Sequence, residues 1–336
     1  MTKDLTGGHP LRVILLFSFP LVLGNLFQQF YALADTIIVG QFCGVSALAS
    51  VGATSSVNYL ILGFVIGACN GFAIPIAQLF GARDLPGLRK HVANAAWLCL
   101  GGSAVLTAAT VALTRPLLTL LQTPADILDG AATYIGWIFA GIPAIFLYNM
   151  VAAIMRALGD SKTPLYFLVL TSALNIGLDL LFVIPLKMGV LGAALATDLS
   201  QVISGVGSFL YLKKHFSVLR MEKEERAFSS RACRRLLGIG APMGLQCSIT
   251  AIGSVIMQWA VNVLGSTAVA AVTAAGKTMN LLTVPLESIG TAMATYAGQN
   301  LGASRLDRVK TGIRWALVII TVYSLAAALI LHFAVV

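Results

Sequence analysis

LRVILLFSFPLVLGNLFQQFYALADTIIV, residues 11–39, is an apolar run long enough to cross a bilayer, yet it contains a carboxylate, Asp35. A span needs ~20 predominantly apolar residues. A charge near the bilayer centre costs on the order of 3 kcal/mol by insertion scales, so an acid there marks a functional site by default. Asn25, Gln28 and Gln29 precede it by one to three helical turns. Three further acids, Asp179, Asp198 and Glu287, and one lysine, Lys277, also lie within long apolar segments, while nearly every other charge falls in short connecting stretches. This distribution predicts an all-α polytopic membrane protein with a polar interior.

Composition agrees. Hydrophobic residues make up 58% of the chain and charged residues 10%, with a mean hydropathy of +0.88, whereas soluble domains are about 25% charged. Nine spans are expected, near 11–39, 46–79, 90–114, 128–155, 163–185, 188–212, 236–262, 266–297 and 309–335. The first shows no signal-peptide cleavage site and reads as an uncleaved span. The net charge of +9 is a topology signal: 19 of the 22 Lys and Arg residues fall on one side of these spans, and only Arg115 and Lys187 on the other. The positive-inside rule then places the N-terminus in the cytoplasm, and the expected location is a cell membrane of the bacterial inner-membrane type. It also makes the lipid bilayer, and no nucleic acid, the partner of the basic charge. The five cysteines show no metal or disulfide spacing. There is no nucleotide-binding P-loop and the four histidines are scattered, so no enzyme chemistry and no cofactor beyond a coupling ion is expected.

The chain repeats itself. GVSALASV at 44–51 matches GSTAVAAV at 265–272, and QLFGARDL at 78–85 matches QNLGASRL at 299–306, both at an offset of 221; Pro20 pairs with Pro242 at 222. Spans seven to nine therefore repeat spans one to three. Six spans per copy make the copies parallel, related by an axis along the membrane normal. The expected organisation is an N-terminal lobe of six helices over 1–212, a charged cytoplasmic linker at 213–235, and a second lobe over 236–336 holding only its first three helices. The counterparts of spans four to six would fall at 349–433, so the reading is a C-terminally truncated protein that does not transport on its own.

Helical spacing places the polar residues. Thr171, Asn175 and Asp179 recur every fourth residue and share one face, as do Thr197 and Gln201 after a run of small residues from Gly189 to Ala196. Asp35 with Asn175, Asp179 and Thr197 would form an oxygen-rich cluster suited to H⁺ or to a hard cation such as Na⁺. Asp198 adjoins Thr197 and is open to pointing elsewhere. Thr273, Lys277, Asn280, Thr283, Glu287, Thr291 and Thr295 fall within an arc of about 120° on one helix at ~100° per residue. Gln258 belongs to a similar stripe on span seven. Such faces line water or other helices, and Gln28, Gln29, Gln258, Lys277, Asn280, Thr283 and Glu287 are the candidate substrate-cavity residues. Pro20 and Gly24 are candidate bending points, and Phe27, Phe30, Tyr31, Tyr134 and Trp137 are aromatics able to stack organic cations.

ADTIIVG at 34–40, QLFGARD at 78–84, NIGLD at 175–179 and GVLGAALAT at 189–197 resemble signatures of the multidrug and toxic compound extrusion (MATE) family. The resemblance implies a cation-coupled antiporter of alternating access, acting as a monomer on small-molecule drugs and organic cations. It implies that Asp35, Asn175, Asp179 and Thr197 form the cation-coupling site, that Tyr134 neighbours it, and that Pro20 is the hinge of the first helix. One departure is that no carboxylate stands in span seven, where Gln246 and Gln258 are found. The alternatives are a lipid-linked saccharide flippase of the same superfamily, which should present a basic cavity, and a non-transporting membrane protein.

Overall fold

The computed structural model describes residues 2–262 and 266–335; Gln258, Thr273 and Lys277 lie outside the residues whose side chains are described. Every regular element among the described residues is a helix: α1 Pro10–Phe42, α2 Val45–Gly81, α3 Leu85–Leu120, α4 Ala125–Ala140, α5 Ile142–Ala157, α6 Lys162–Val183, α7 Gly189–His215, α8 Ser230–Asn262, α9 Ser266–Gly302 and α10 Leu306–Val335, with two 3₁₀ turns between α7 and α8. Among the described residues, seven helices are long and apolar enough to cross a membrane, and the bent pair α4–α5 makes an eighth if it is one span.

The expected span at 128–155 is broken. α4 and α5 meet at Gly141 with a bend of 47°. Pro143 in the first turn of α5 has no N–H to continue the ladder, and the Asp198 carboxylate of α7 occupies the place where a Cβ on Gly141 would stand. Pro20, by contrast, is buried within an unbroken α1.

The sequence repeat is repeated in the backbone. α2 ends with Arg83 at φ +59 and α9 ends with Ser304 at φ +58. Both ends close in the same way: Arg83 N donates to Phe80 O and Asp84 N to Leu79 O, while Ser304 N donates to Leu301 O and Arg305 N to Asn300 O. This is the paired bonding that satisfies the last helical carbonyls through one left-handed residue. The two ends also meet. A Cβ on Gly81 would overlap the carbonyl of Gln299, and one on Gly302 would overlap the carbonyl of Gln78, the reciprocal contact that a two-fold relation produces.

α2 is the centre of the molecule, packing on α4 and α5 of its own lobe and on α8 and α9 of the other. Its face toward α8 is a glycine stripe, Gly63, Gly67 and Gly71, opposite Gly240 and Gly244. A Cβ on Gly67 would lie 2.6 Å from Met243 O, and one on Gly71 would lie 2.5 Å from the Gly240 Cα. Small residues spaced by four let membrane helices touch backbone to backbone, where van der Waals contact replaces the missing hydrophobic force.

The linker is docked on α3. Arg89 donates to Val218 O at 2.8 Å and pairs with Glu225 at 3.3 Å. The fully buried Asn94 donates to Ala227 O and accepts from Ser229 N, just before α8 begins at Ser230.

Gly71→Ala is expected to destabilise the protein by about 1–3 kcal/mol, the usual cost of overpacking. The same change at Gly101, where nothing lies within 4 Å of the added carbon, should not destabilise it. Thermal unfolding in detergent compares the two; equal melting would show that the α2 and α8 backbones are not in contact.

Candidate functional site

Four helices of the first lobe converge on the acids. α1 supplies Asp35, α4 supplies Tyr134, α6 supplies Asn175 and Asp179, and α7 supplies Thr197. Asn175 and Asp179 are 0% exposed, and Asp35 and Tyr134 are buried. The small residues Gly192, Ala193, Ala194 and Ala196 are all buried and let α7 approach α6, with Gly192 close against Phe182. Asn175 then bridges the two helices. In the amide orientation that satisfies both ends, it donates to Asp179 Oδ2 at 3.0 Å and accepts from the Thr197 hydroxyl at 3.2 Å and the Thr197 amide at 3.2 Å.

The Asp35 and Asp179 carboxyls lie close enough to act on each other electrostatically. Two buried carboxylates side by side repel unless a proton or a cation lies between them, so the pair is able to hold either. Asp35 Oδ1 and Asp179 Oδ1 are buried with no protein partner, as are Asp198 Oδ1 and Gln201 Oε1. Buried polar atoms are normally bonded. Orphaned acceptor oxygens beside a shared carboxyl pair fit an H⁺ or a hard monovalent ion, and no group of three or more His, Cys, Asp or Glu exists among the described residues to hold a transition metal.

The structure thus brings together Asp35, Tyr134, Asn175, Asp179 and Thr197. It adds Tyr31, which stands beside these acids and Thr197. Tyr31 lies one turn before Asp35, which is the signal in the sequence that finds it. Thr171, on the same face of α6, is instead bonded to Ser204 of α7 at 2.6 Å. Asp198 points away to the α4–α5 break. A cavity of about 610 Å³, lined by Phe42, Cys43, Ser46, Asp126, Val183 and Lys187 among others, opens at the end of the first lobe away from the basic loops. Val183 lies one turn from Asp179 and Cys43 two turns from Asp35.

The substrate-cavity residues are placed less completely. Asn25 Nδ2 donates to Ser288 Oγ at 3.0 Å, tying α1 to α9. The two helices run in opposite directions, so Gln28 and Gln29 lie near the depth of Thr283 and Glu287. Gln28, Gln29, Asn280 and Glu287 are exposed and Thr283 half-buried; Gln258 and Lys277 lie outside the described residues. The 610 Å³ cavity is not in this cleft.

Residues 20–181 and 242–336 match the family model MatE. The chain belongs to the MATE family. The two matched segments begin at Pro20 and Pro242, the pair aligned by the internal repeat. The chain is 35% identical over 311 residues to YpnP of Bacillus subtilis (strain 168), described as a probable multidrug resistance protein, covering 91% of this chain and 68% of that one. It is similar to a solved outward-facing conformation of a multidrug resistance MATE family transporter of the MOP superfamily, with a TM-score of 0.92 and 28% identity over 99% of this chain and 74% of that one. A MOP superfamily transporter from Pyrococcus furiosus Vc1 matches with a TM-score of 0.91 and 28% identity, covering 98% and 74%. As a MATE family transporter built of apolar helices, the protein is a multi-pass membrane protein.

On α9, a cysteine at Asn280 is expected to react with a water-soluble thiol reagent, while one at Val284, 3% exposed, should not. Equal labelling of both would show that the polar stripe does not face water.

Proposed function

We propose that this MATE protein is a secondary active antiporter, exporting amphipathic and often cationic organic compounds in exchange for H⁺ or Na⁺ by alternating access. The observation that carries the reading is the buried Asp35–Asp179 pair with its orphaned oxygens. The relatives described as multidrug resistance proteins support the substrate class. The acidic character of the first lobe argues against a flippase for a pyrophosphate-bearing lipid, which needs a basic cavity.

α1 is the coupling element. Its outer half carries Asp35 into the first lobe, and its inner half packs on α9 through Asn25 and Ser288 and through Phe17, Ala292 and Tyr296. A ligand shifts a conformational equilibrium only by its differential affinity for the two states. An ion held between Asp35 on α1 and Asp179 on α6 favours the state in which those helices are together, and α1 carries that preference across to the second lobe. Pro20 lies within the inner half, between the Phe17 and Asn25 contacts to α9, where a missing N–H makes bending cheapest. The cavity at Cys43 and Val183 supplies an approach for the ion from the side opposite the basic loops, which the positive-inside rule makes extracellular. The protein acts as a monomer in this scheme, with its N-terminus in the cytoplasm.

In the protein completed by the remaining helices of its second lobe, Asp35→Asn is expected to reduce drug efflux to background at matched expression while leaving membrane insertion intact. Wild-type efflux from this variant would remove Asp35 from the mechanism.

Protons and Na⁺ should compete for the pair, because protonating either acid removes charge that Na⁺ requires. Na⁺ affinity is therefore expected to weaken as pH falls, by up to about tenfold per pH unit where one proton is displaced, and to weaken further in Asp179→Asn. Isothermal titration at two pH values measures this; pH-independent binding unchanged by Asp179→Asn would place the ion elsewhere.

A further inference from the structure

The residues before α1 contain no apolar run and no motif, yet they are held at the basic end of the molecule by both lobes. On the first lobe, Lys3 N donates to Leu158 O at 3.0 Å, and Gly159, at φ +85, lies so close that a Cβ on it would overlap the Lys3 carbonyl. On the second lobe, Gln299 of α9 accepts from Leu5 N at 2.9 Å and donates to Ala157 O of α5 at 2.8 Å. One fully buried glutamine thus joins the segment, the first lobe and the second. Asn300 donates to Leu5 O, Arg305 to Thr6 O at 2.8 Å, and Arg308 to Gly7 O at 3.0 Å and Gly8 O at 2.9 Å. The Leu5 side chain, 4% exposed, inserts among Ile14, Phe17, Ala292 and Tyr296.

The bonds from α9 and α10 to the segment all run to or from its main chain. Neither Arg305 nor Arg308 forms an ion pair among the described residues. These are charge-assisted hydrogen bonds from the Arg305 and Arg308 guanidiniums to neutral carbonyls, with Asp4 of the segment near Arg305, and no buried carboxylate–guanidinium pair has to separate when they open. The segment is also continuous with α1, which starts at Pro10 and carries Asp35. Farther along α1, beyond Asn25, the four consecutive side chains Phe27, Gln28, Gln29 and Phe30 are exposed. The lobes are therefore tied at the basic end and less closed beyond it.

We propose that residues 3–8 are a latch that holds the basic end of the two lobes shut, with Gln299, Arg305 and Arg308 as the residues that seat it, and that the latch undoes each time the molecule opens toward that side. The proposal rests on the alternating-access reading above. Movement of α1 draws Leu5 out of its pocket and breaks the carbonyl contacts together, so the state of the carboxyl pair and the state of the latch are linked through one helix.

The test reads the pocket under Leu5. In a background with all native cysteines replaced by serine, a cysteine at Ala292, 1% exposed, is labelled by an impermeant maleimide in inside-out membrane vesicles. Combining Leu5→Ser with Arg308→Gln is expected to raise the labelling rate at least tenfold. Arg314→Gln, an exposed arginine on the same helix, should leave it unchanged. A cysteine at Ala194, buried in the first lobe, must stay unlabelled in every variant; its labelling would mean general loosening and would overturn the latch. In a second measurement, Thr6→Cys and Arg305→Cys joined through a reducible cross-linker should stop drug export, with export returning on reduction. Unchanged labelling in the unlatched variant, or export that continues with the cross-link in place, also overturns the latch. The labelling arm needs no transport, so failure of the antiporter reading would show separately, as Asp35→Asn efflux at the wild-type rate.

Discussion

Two helices touch backbone to backbone only where neither presents a side chain, and α2 and α8 do so along Gly63, Gly67, Gly71, Gly240 and Gly244. Lipid tails are as apolar as leucine, so nothing but close contact and polar links holds such helices together. The same stripe explains why the two seams between the lobes differ. At the repeat offset, the glycines of α2 correspond to Val284, Ser288 and Ala292 of α9. There the α1–α9 seam is made by side chains: the Asn25–Ser288 hydrogen bond and the packing of Phe17 and Leu5 around Ala292 and Tyr296. One seam is a tight backbone contact able to act as a pivot. The other is built from a few separable side-chain contacts, and it is the one that carries the polar cleft.

The position of α1 follows from this asymmetry. It belongs to the first lobe through Asp35 and to the second through its inner half, and its N-terminal extension is held by both. In a low-dielectric interior, an acid pair that shares a proton or an ion is a strong constraint on the two helices that carry it. Asp35 and Asp179 place that constraint between α1 and α6, with Asn175 bonding α6 to Thr197 of α7. A change at the pair is therefore expressed where α1 is least bound, along α9 and at the basic end.

Much of this was legible in the residues. Spans, basic loops and the parallel repeat follow from apolar run length, charge placement and a shared offset, and the Asn175–Asp179 face follows from fourfold spacing. The family signatures add Tyr134 and Pro20. Other features left no such mark. The break at Gly141 depends on Asp198 arriving from a helix more than fifty residues away. The linker looks solvated by composition, yet Asn94 and Arg89 of α3 fasten it. The latch is formed by main-chain groups of Lys3 to Gly8, and hydrogen bonding through the backbone imposes almost no sequence pattern.

What the sequence by itself determined is therefore everything that periodicity and solvation control: an all-α membrane chain, its repeat, its basic side, and which polar residues share a face within one helix. What only the tertiary structure decided is how each helix is rotated against its neighbours. That rotation joins Asn175 to Thr197, sends Asp198 to the α4–α5 break, and pairs Gln299 with both Leu5 and Ala157. The physical reason is that helical spacing reports direction relative to one axis only, while a site between helices depends on the relative angle of several axes, which is set by where glycines and alanines let their backbones meet.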